Sequence, residues 1–497
     1  MLSWLKKIGR VKPVSASEVE FSRLGIGFEK LDRAVFDPEK AYDPVAALGV
    51  KWVRIQSGWQ RTETERGVYR FEWLDDIVDN LRRRGLVPWV NLCYGNKLYD
   101  AEAATRFGAV GCPPNQNDEQ INAWCAYVKA LVAHFEGRVE WWEVWNEPES
   151  KYSWRQAPDP FEYVEFARRT AEAVRVGSPR AKVIGGVFTN SALEYISHCF
   201  AGGLGKYCDA ISFHIYSSDE ADDEERIANL KLLIDQYCPG VELIQGEGGC
   251  QSRGDGCGAL RNQEWTREKQ AKSLARHLIS QIGEGVKFTS YFSSMDMIEA
   301  LNGKVGEKAS YLDYGYFGVL GAEFDADGFA VGEYSPKPSY YALQTVAALF
   351  QGNFEVCRLP VESSRTERNT RFGGDYGDTT LRECCSCAFR RENGAVAFVY
   401  WKRGNMLRET FEGSISLHMP EHPAGTPKLV DILTGNVYAL NDDDVIPRTH
   451  IFTQNKVRTI TSAEKARPGD TVYFRHLPLL DRPLALVFGD FCAIDEK

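Results

Sequence analysis

One alternation recurs eight times along the first two thirds of the chain. A short apolar run is followed each time by a longer segment with helical spacing. The runs are Leu24–Phe28, Trp52–Ile55, Val87–Leu92, Val139–Trp145, Lys182–Gly186, Ala210–His214, Glu242–Gln245 and Lys287–Tyr291. Several are apolar throughout rather than alternating, as parallel strands covered by helices are. Between them, Leu74, Ile77, Val78 and Leu81 keep i, i+3, i+4, i+7 spacing. Ile121, Trp124, Cys125, Val128, Leu131, Val132 and Phe135 extend the same pattern behind Asn117-Asp118, a cap-like pair. Asp159-Pro160 is a cap followed by proline at the first helical position, and Ser339 opens a closing helix through Leu343 and Phe350. Eight strand–helix units over roughly 325 residues predict a (β/α)8 TIM barrel with some long loops. The rival is a doubly wound open sheet, but no Gly-x-Gly-x-x-Gly follows the first strand.

After about residue 350 the helical period stops and hairpin patterns begin. Cys384–Arg390 and Ala395–Trp401 flank Asn393-Gly394, and Leu429–Leu433 and Val437–Leu440 flank Thr434-Gly435-Asn436. Ile415, Leu417 and Met419 alternate, and Thr471–Phe474 and Leu484–Phe488 close the series. The expected organisation is an N-terminal extension (1–20), a barrel (21–350) and an antiparallel β-sandwich (351–497). With 497 residues, 43% hydrophobic and 26% charged, the chain has ample material for two such cores. The net charge of −10 disfavours nucleic acid as a partner, because binding phosphates needs a basic face. No apolar run approaches the roughly 20 residues of a bilayer helix, so no membrane role is expected.

The chemistry concentrates at two strand ends. Trp141-Trp142-Glu143-Val144-Trp145-Asn146-Glu147-Pro148-Glu149 closes the fourth strand, and Leu243-Ile244-Gln245-Gly246-Glu247-Gly248-Gly249 closes the seventh. Strand C-termini build the active site of a barrel, so Glu147 and Glu247 are expected to face each other across its mouth. Two such carboxylates suit glycosidic bond cleavage: one protonates the leaving oxygen and the other attacks the anomeric carbon. Read alone, Asn146-Glu147-Pro148 is a helix entry and Glu247 a surface acid among glycines; the pairing is what favours catalysis.

Trp145-Asn146-Glu147-Pro148 with Glu247 resembles clan A of the glycoside hydrolases, most of all glycoside hydrolase family 39 and its relatives. The resemblance extends over the barrel to Tyr334-Ser335-Pro336-Lys337-Pro338-Ser339-Tyr340-Tyr341-Ala342-Leu343, and a sandwich after the barrel fits that group. It implies a retaining mechanism with Glu147 as acid/base, Glu247 as nucleophile and Asn146 holding the sugar 2-hydroxyl. It further implies that Tyr216 stands near the nucleophile, that His214 supports the site, and that Arg54 orients the nucleophile and lowers its pKa. The sequence departs from the family at Asn91, where many relatives carry His, and at Tyr291-Phe292, where many place a Trp platform. Asn91 is then expected to bond a hydroxyl, and Tyr291 or Phe292 to replace the platform.

Trp59, Trp145 and Trp154 are candidate stacking surfaces, although most Trp is core. Tyr94–Lys97, Tyr99 and the loop to Asn117 are read as a pocket wall or as an irregular surface loop, and Glu143 as structural. Retention predicts carboxylates about 5–5.5 Å apart rather than about 6.5–9.5 Å. The function read here is an exo-acting retaining β-glycosidase with no metal or other cofactor, acting on an oligosaccharide or glycoside. An endo-glycanase or transglycosidase of the clan is the alternative, and a non-catalytic carbohydrate-binding barrel is the rival from another class. Assembly into a homo-oligomer is compatible with the sequence. Thirteen scattered Cys without framework spacing, and no signal-peptide pattern, point to reduced thiols in a cytoplasmic protein; a Cys250–Cys257 bridge, or secretion after loss of a signal, would need an oxidising compartment.

Overall fold

The computed structural model describes residues 2–154, 157–189, 192–365, 384–440, 445–446 and 471–496. Eight parallel strands close into a barrel: Leu24–Gly27, Trp52–Gln56, Val87–Leu92, Trp141–Val144, Lys182–Phe188, Ala210–His214, Glu242–Glu247 and Thr289–Tyr291. They are called the first to eighth strands below. The eighth pairs with the first, Leu24 opposite Thr289 and Ile26 opposite Tyr291, so the sheet has no free edge and the open-sheet rival is excluded.

The intervening helices start where the local chemistry sets them. The Asn117 side chain accepts from the Gln120 amide to open Asp118–His134. Asp159 accepts from the Phe161 and Glu162 amides ahead of Pro160–Gly177, with Pro160 in the first turn where its missing N–H costs nothing. The two helices are tied together by Trp124 Nε1 donating to Thr170 Oγ1 at 2.9 Å. No described helix is long and apolar enough to cross a membrane.

The chain divides into two compact units that differ from the linear blocks expected from sequence. One unit is Ser15–Arg267 with Val286–Lys337, which contains the whole barrel sheet. The other is Met1–Val14, Glu268–Gly285 and Pro338–Lys497. The start of the chain is therefore not a bare extension. Lys6–Val11 is a strand that pairs with Asn436–Ala439 on one side and Ile494–Glu496 on the other. Its burial pattern is too weakly alternating to announce a strand, because it borrows both neighbours from the far end of the chain.

This second unit holds an eight-stranded and a four-stranded antiparallel sheet. Phe398, Tyr400 and Leu486 from the larger sheet pack in one core with Ile415, Leu417, Met419 and Phe474 from the smaller, which makes it a sandwich. The expected hairpins form. Cys384–Arg390 pairs with Val396–Lys402 through the turn in which Gly394 takes φ +82°, a value glycine alone adopts without strain. No disulfide joins Cys250 to Cys257.

Candidate active site

The mouth of the barrel is organised around one buried guanidinium. Arg54, near the end of the second strand, is completely enclosed. Its Nε donates to Glu143 Oε2 at 2.6 Å, Nη2 to Asn146 Oδ1 at 2.9 Å, and Nη1 to both Glu247 Oε2 at 2.5 Å and Glu29 Oε1 at 2.9 Å. Burying a cation this deeply is tolerable only because three carboxylates surround it.

Glu247 ends the seventh strand. The backbone there runs so close to its neighbours that a Cβ on Gly246 would lie 2.3 Å from Ser212 Oγ, and one on Gly249 would lie 2.0 Å from the Phe292 carbonyl oxygen. The glycines flanking Glu247 are thus a packing requirement of the closing barrel. Besides Arg54, Glu247 accepts from the Tyr216 hydroxyl at 2.5 Å through Oε1. Burial alone would raise its pKa; His214, Arg54, the Tyr216 hydroxyl and Lys30 outweigh that and hold it below the ordinary value.

Glu147 follows the fourth strand on a backbone in the left-handed region, φ 46°, as does Trp145 at φ 64°. Such non-glycine residues cost on the order of 1 kcal/mol each and persist where the surroundings hold them. Trp145 N donates to the Leu92 carbonyl at 3.1 Å, and Glu147 N to the Val187 carbonyl at 3.0 Å. His214 stands between the two acids, its Nδ1 3.1 Å from Glu147 Oε1 and 3.7 Å from Glu247 Oε2. Since both neighbours are acceptors when ionised, Nδ1 is assigned the proton. Burial would lower the His214 pKa, but the Glu247 charge and the Glu147 hydrogen bond raise it above its usual value.

Glu147, His214 and Glu247 each bring one side-chain donor atom within 4.8 Å of the others, and this is the one group of the described acids, histidines and cysteines compact enough to share a cation. One oxygen of each carboxylate thus comes within 4.8 Å of the other, an approach that suits the about 5–5.5 Å spacing of a retaining pair. Between them opens a cavity of about 530 Å³, lined by Glu147, Glu247, Asn146, Tyr216 and Phe292 among others.

Five of the expected substrate contacts are corrected by the structure. Trp59 is wholly buried; it stacks on Tyr99 and Tyr127 and donates Nε1 to Glu63, so it braces a loop and does not face the cavity. Trp145 and Trp154 are core in the same way, packed edge to face. Asn91 is also fully enclosed: Nδ2 donates to Glu143 Oε2 at 3.2 Å and to the Trp145 carbonyl, so it holds the layer beneath the site rather than a hydroxyl. Tyr291 is buried with its hydroxyl on the Cys250 carbonyl at 3.3 Å, and only Phe292 of that pair reaches the cavity. Glu143 is structural, as expected, accepting from Arg54 and Asn91. Tyr94 and Val110 of the loop after the third strand do wall the cavity.

Four charged residues were not anticipated from the sequence. Glu29 and Lys30 follow the first strand, Glu299 lies beyond the eighth, and Glu149 sits two residues after Glu147; all four line the cavity. Lys30 Nζ donates to the Ile298 carbonyl at 2.8 Å and lies 3.4 Å from Glu299 Oε1, its ion-pair partner. Burial pushes Glu29 up to about 7; Arg54 opposes this and the Glu247 charge adds to it. Burial likewise brings Glu149 to about 7, opposed by the Thr189 hydrogen bond and reinforced by Glu147. The charged pair directly after the first apolar run was the available signal for Glu29 and Lys30. Nothing in the sequence marks Glu299, whose partner Lys30 lies far away along the chain, just after the first strand.

Residues 4–238 match glycosyl hydrolases family 39. Among solved structures, the chain is similar to a family 39 glycoside hydrolase from the gut symbiont Bacteroides cellulosilyticus WH2, with TM-score 0.63, 18% identity and coverage of 94% of this chain and 81% of that one. A family 39 enzyme from Xanthomonas axonopodis pv. citri gives TM-score 0.58 at 17% identity, over 96% of this chain and 95% of that one. A family 39 β-xylosidase from Caulobacter crescentus gives 0.55 at 16% identity, over 96% and 97%. At such identities the structural likeness speaks for the barrel fold, and the family match, over residues 4–238, makes the chain similar to the retaining glycoside hydrolases of family 39.

Proposed function

We propose that the protein is an exo-acting β-glycosidase working by double displacement, with Glu147 as acid/base and Glu247 as nucleophile. The observation that supports this is that one oxygen of each carboxylate comes within 4.8 Å of the other beside a cavity. In the first step Glu247 attacks the anomeric carbon, the glycosidic C–O bond breaks, and the Glu147 carboxyl proton goes to the departing oxygen. In the second, a water attacks the same carbon, its proton returns to Glu147, and the ester to Glu247 breaks. Arg54 and Tyr216 stabilise Glu247 as a carboxylate, which serves it both as nucleophile and as the leaving group of the second step. Esterification of Glu247 removes the charged carboxylate 3.7 Å from His214 Nδ1, whose hydrogen bond is to Glu147.

Asn146 supports this reading, since Arg54 holds its Oδ1 and leaves its Nδ2 amide for a substrate hydroxyl. Glu299 and Lys30 are a second pair suited to hydroxyls, an acceptor beside a donor. Exo action is favoured by the segments that wall the cavity, which include Tyr94, Val110, Arg261, Leu301 and Phe317.

A panel of 4-nitrophenyl β-glycosides tests the reading, and the xyloside comes first because the Caulobacter neighbour is a β-xylosidase. Glu247→Gln and Glu147→Gln should each lower kcat by about 10³-fold or more on the sugar that is cleaved. Glu147→Ala should spare aryl glycosides with good leaving groups relative to alkyl ones, because only the latter need a proton. NMR of the first product should show the retained anomer, and an inverted one would sink the mechanism. Internal cuts in an oligosaccharide series would replace the exo reading with an endo-glycanase. Binding without turnover across the panel would leave a carbohydrate-binding barrel.

A further inference from the structure

A second cavity, about 750 Å³, opens beside the catalytic one and shares Val110, Lys151, Tyr152 and Leu301 with it. Its relation to the chemistry follows from the chain. Lys151 and Tyr152 come directly after the turn in which Ser150 N donates to the Glu147 carbonyl at 2.9 Å. The group that leaves during cleavage takes its proton from Glu147, so it departs on this side.

The far wall is firmly built. Phe107 N donates to the Gly303 carbonyl and Val305 N to the Thr105 carbonyl, both at 2.8 Å, and Phe107 stacks on Tyr311 at 4.6 Å. At the shared rim Tyr152 is 43% exposed and Leu301 39% exposed, which offers apolar surface to a ring.

The charge of this cavity runs against that of the chain. The protein carries −10, yet the lining holds Arg106, Lys151 and Lys304 against the single acid Glu102. Glu102 is spent on Arg106, and Lys304 is 3.4 Å from Glu307, an exposed pair that solvent screens. Lys151 has no carboxylate partner among the described residues; its ammonium lies 5.2 Å from the Tyr152 ring centroid.

We propose that this cavity receives the leaving-group side of the substrate and selects an aglycone bearing an anionic group, a carboxylate or a sulfate ester. The proposal rests on the glycosidase reading with Glu147 as acid, and it adds the class of aglycone.

Two measurements test it. The first needs no turnover: binding of glucuronate, glucose 6-sulfate and glucose to the full chain, followed by NMR at low and high salt. The anionic sugars should bind about fivefold more tightly than glucose, and the advantage should fade in 0.5 M salt and in Lys151→Gln/Lys304→Gln. An advantage for glucuronate alone identifies the carboxylate as the source, and one for the sulfate alone identifies the ester. The second measurement compares 4-nitrophenyl and 3-carboxy-4-nitrophenyl β-glycosides of the cleaved sugar. The ratio of kcat/KM for the acidic over the neutral aglycone should fall about fivefold from wild type to the double variant. Comparing proteins cancels the different leaving-group chemistry of the two phenols.

Equal binding of all three sugars, or a preference that survives the double substitution, overturns the proposal while glycosidase activity stands. Lysine-dependent binding of anions in a protein that hydrolyses no glycoside would uphold the cavity and overturn the hydrolase mechanism instead.

Discussion

The two ends of the barrel solve opposite problems with the same strands. At the C-terminal end, Arg54, Glu29, Glu143 and Glu247 form a buried cluster of ionisable groups. At the N-terminal end, Trp52, Trp89, Trp141, Phe288, Ile184 and Ile244 form an aromatic floor around a cavity of only about 210 Å³. The floor rings meet edge to face, Trp89 on Phe288 at 5.1 Å and Trp52 on Phe288 at 6.0 Å. Charge buried at the mouth is costly and is kept for chemistry; apolar area buried at the floor stabilises the sheet that holds that charge in place.

The sharpest way to break this division is to remove the central cation. Arg54→Met should abolish turnover and cost about 3–5 kcal/mol of stability, because it strands three carboxylates in a buried site. The stability loss should shrink as pH is lowered and those carboxylates take up protons. Urea unfolding at several pH values checks this, and a pH-independent loss would mean that Arg54 acts through packing alone.

Trp89→Ala is the matching change at the floor. It should cost about 3 kcal/mol, near the low end for a buried Trp because the ring already borders a small cavity, with kcat/KM changed by less than about twofold. A large kinetic effect would show that the two ends are coupled.

Glu29 separates charge from shape at the mouth. Its folded pKa, about 7, lies above the reference value of 4.5, so the folded state holds a proton that the unfolded chain releases. That contribution is present below pH 4.5 and is lost as pH rises through about 7. Glu29→Gln should flatten the fall in Tm between those two values. An unchanged Tm profile would show that Arg54 keeps Glu29 ionised.

The smallest expected effect lies outside both regions. Asp159→Ala removes a helix cap and should cost about 1 kcal/mol with activity unchanged.

Legibility from the sequence followed the range of the interactions. The eight strands, the caps at Asn117 and Asp159, the Asn393-Gly394 hairpin and both carboxylates show in windows of a few residues. Trp59, Asn91 and Tyr291 were misplaced for one reason. Position near a strand end does not say whether a side chain reaches the cavity or stops in the layer below, and here each meets a partner that holds it there: Glu63, Glu143 and the Cys250 carbonyl. Lys6–Val11 was hidden because both its partner strands lie in the last part of the chain.

By itself, then, the sequence determined a closed (β/α)8 barrel followed by a sandwich, with Glu147 and Glu247 at strand ends. Periodicity and strand-end position are local properties, and the backbone obeys them before any tertiary contact forms. Only the tertiary structure decided which groups surround those two acids. Glu29, Lys30 and Glu299 reach the site because barrel closure brings the first and eighth strands together. The single Nη1 of Arg54 shared by Glu29 and Glu247 exists only once the strands have been wound around it.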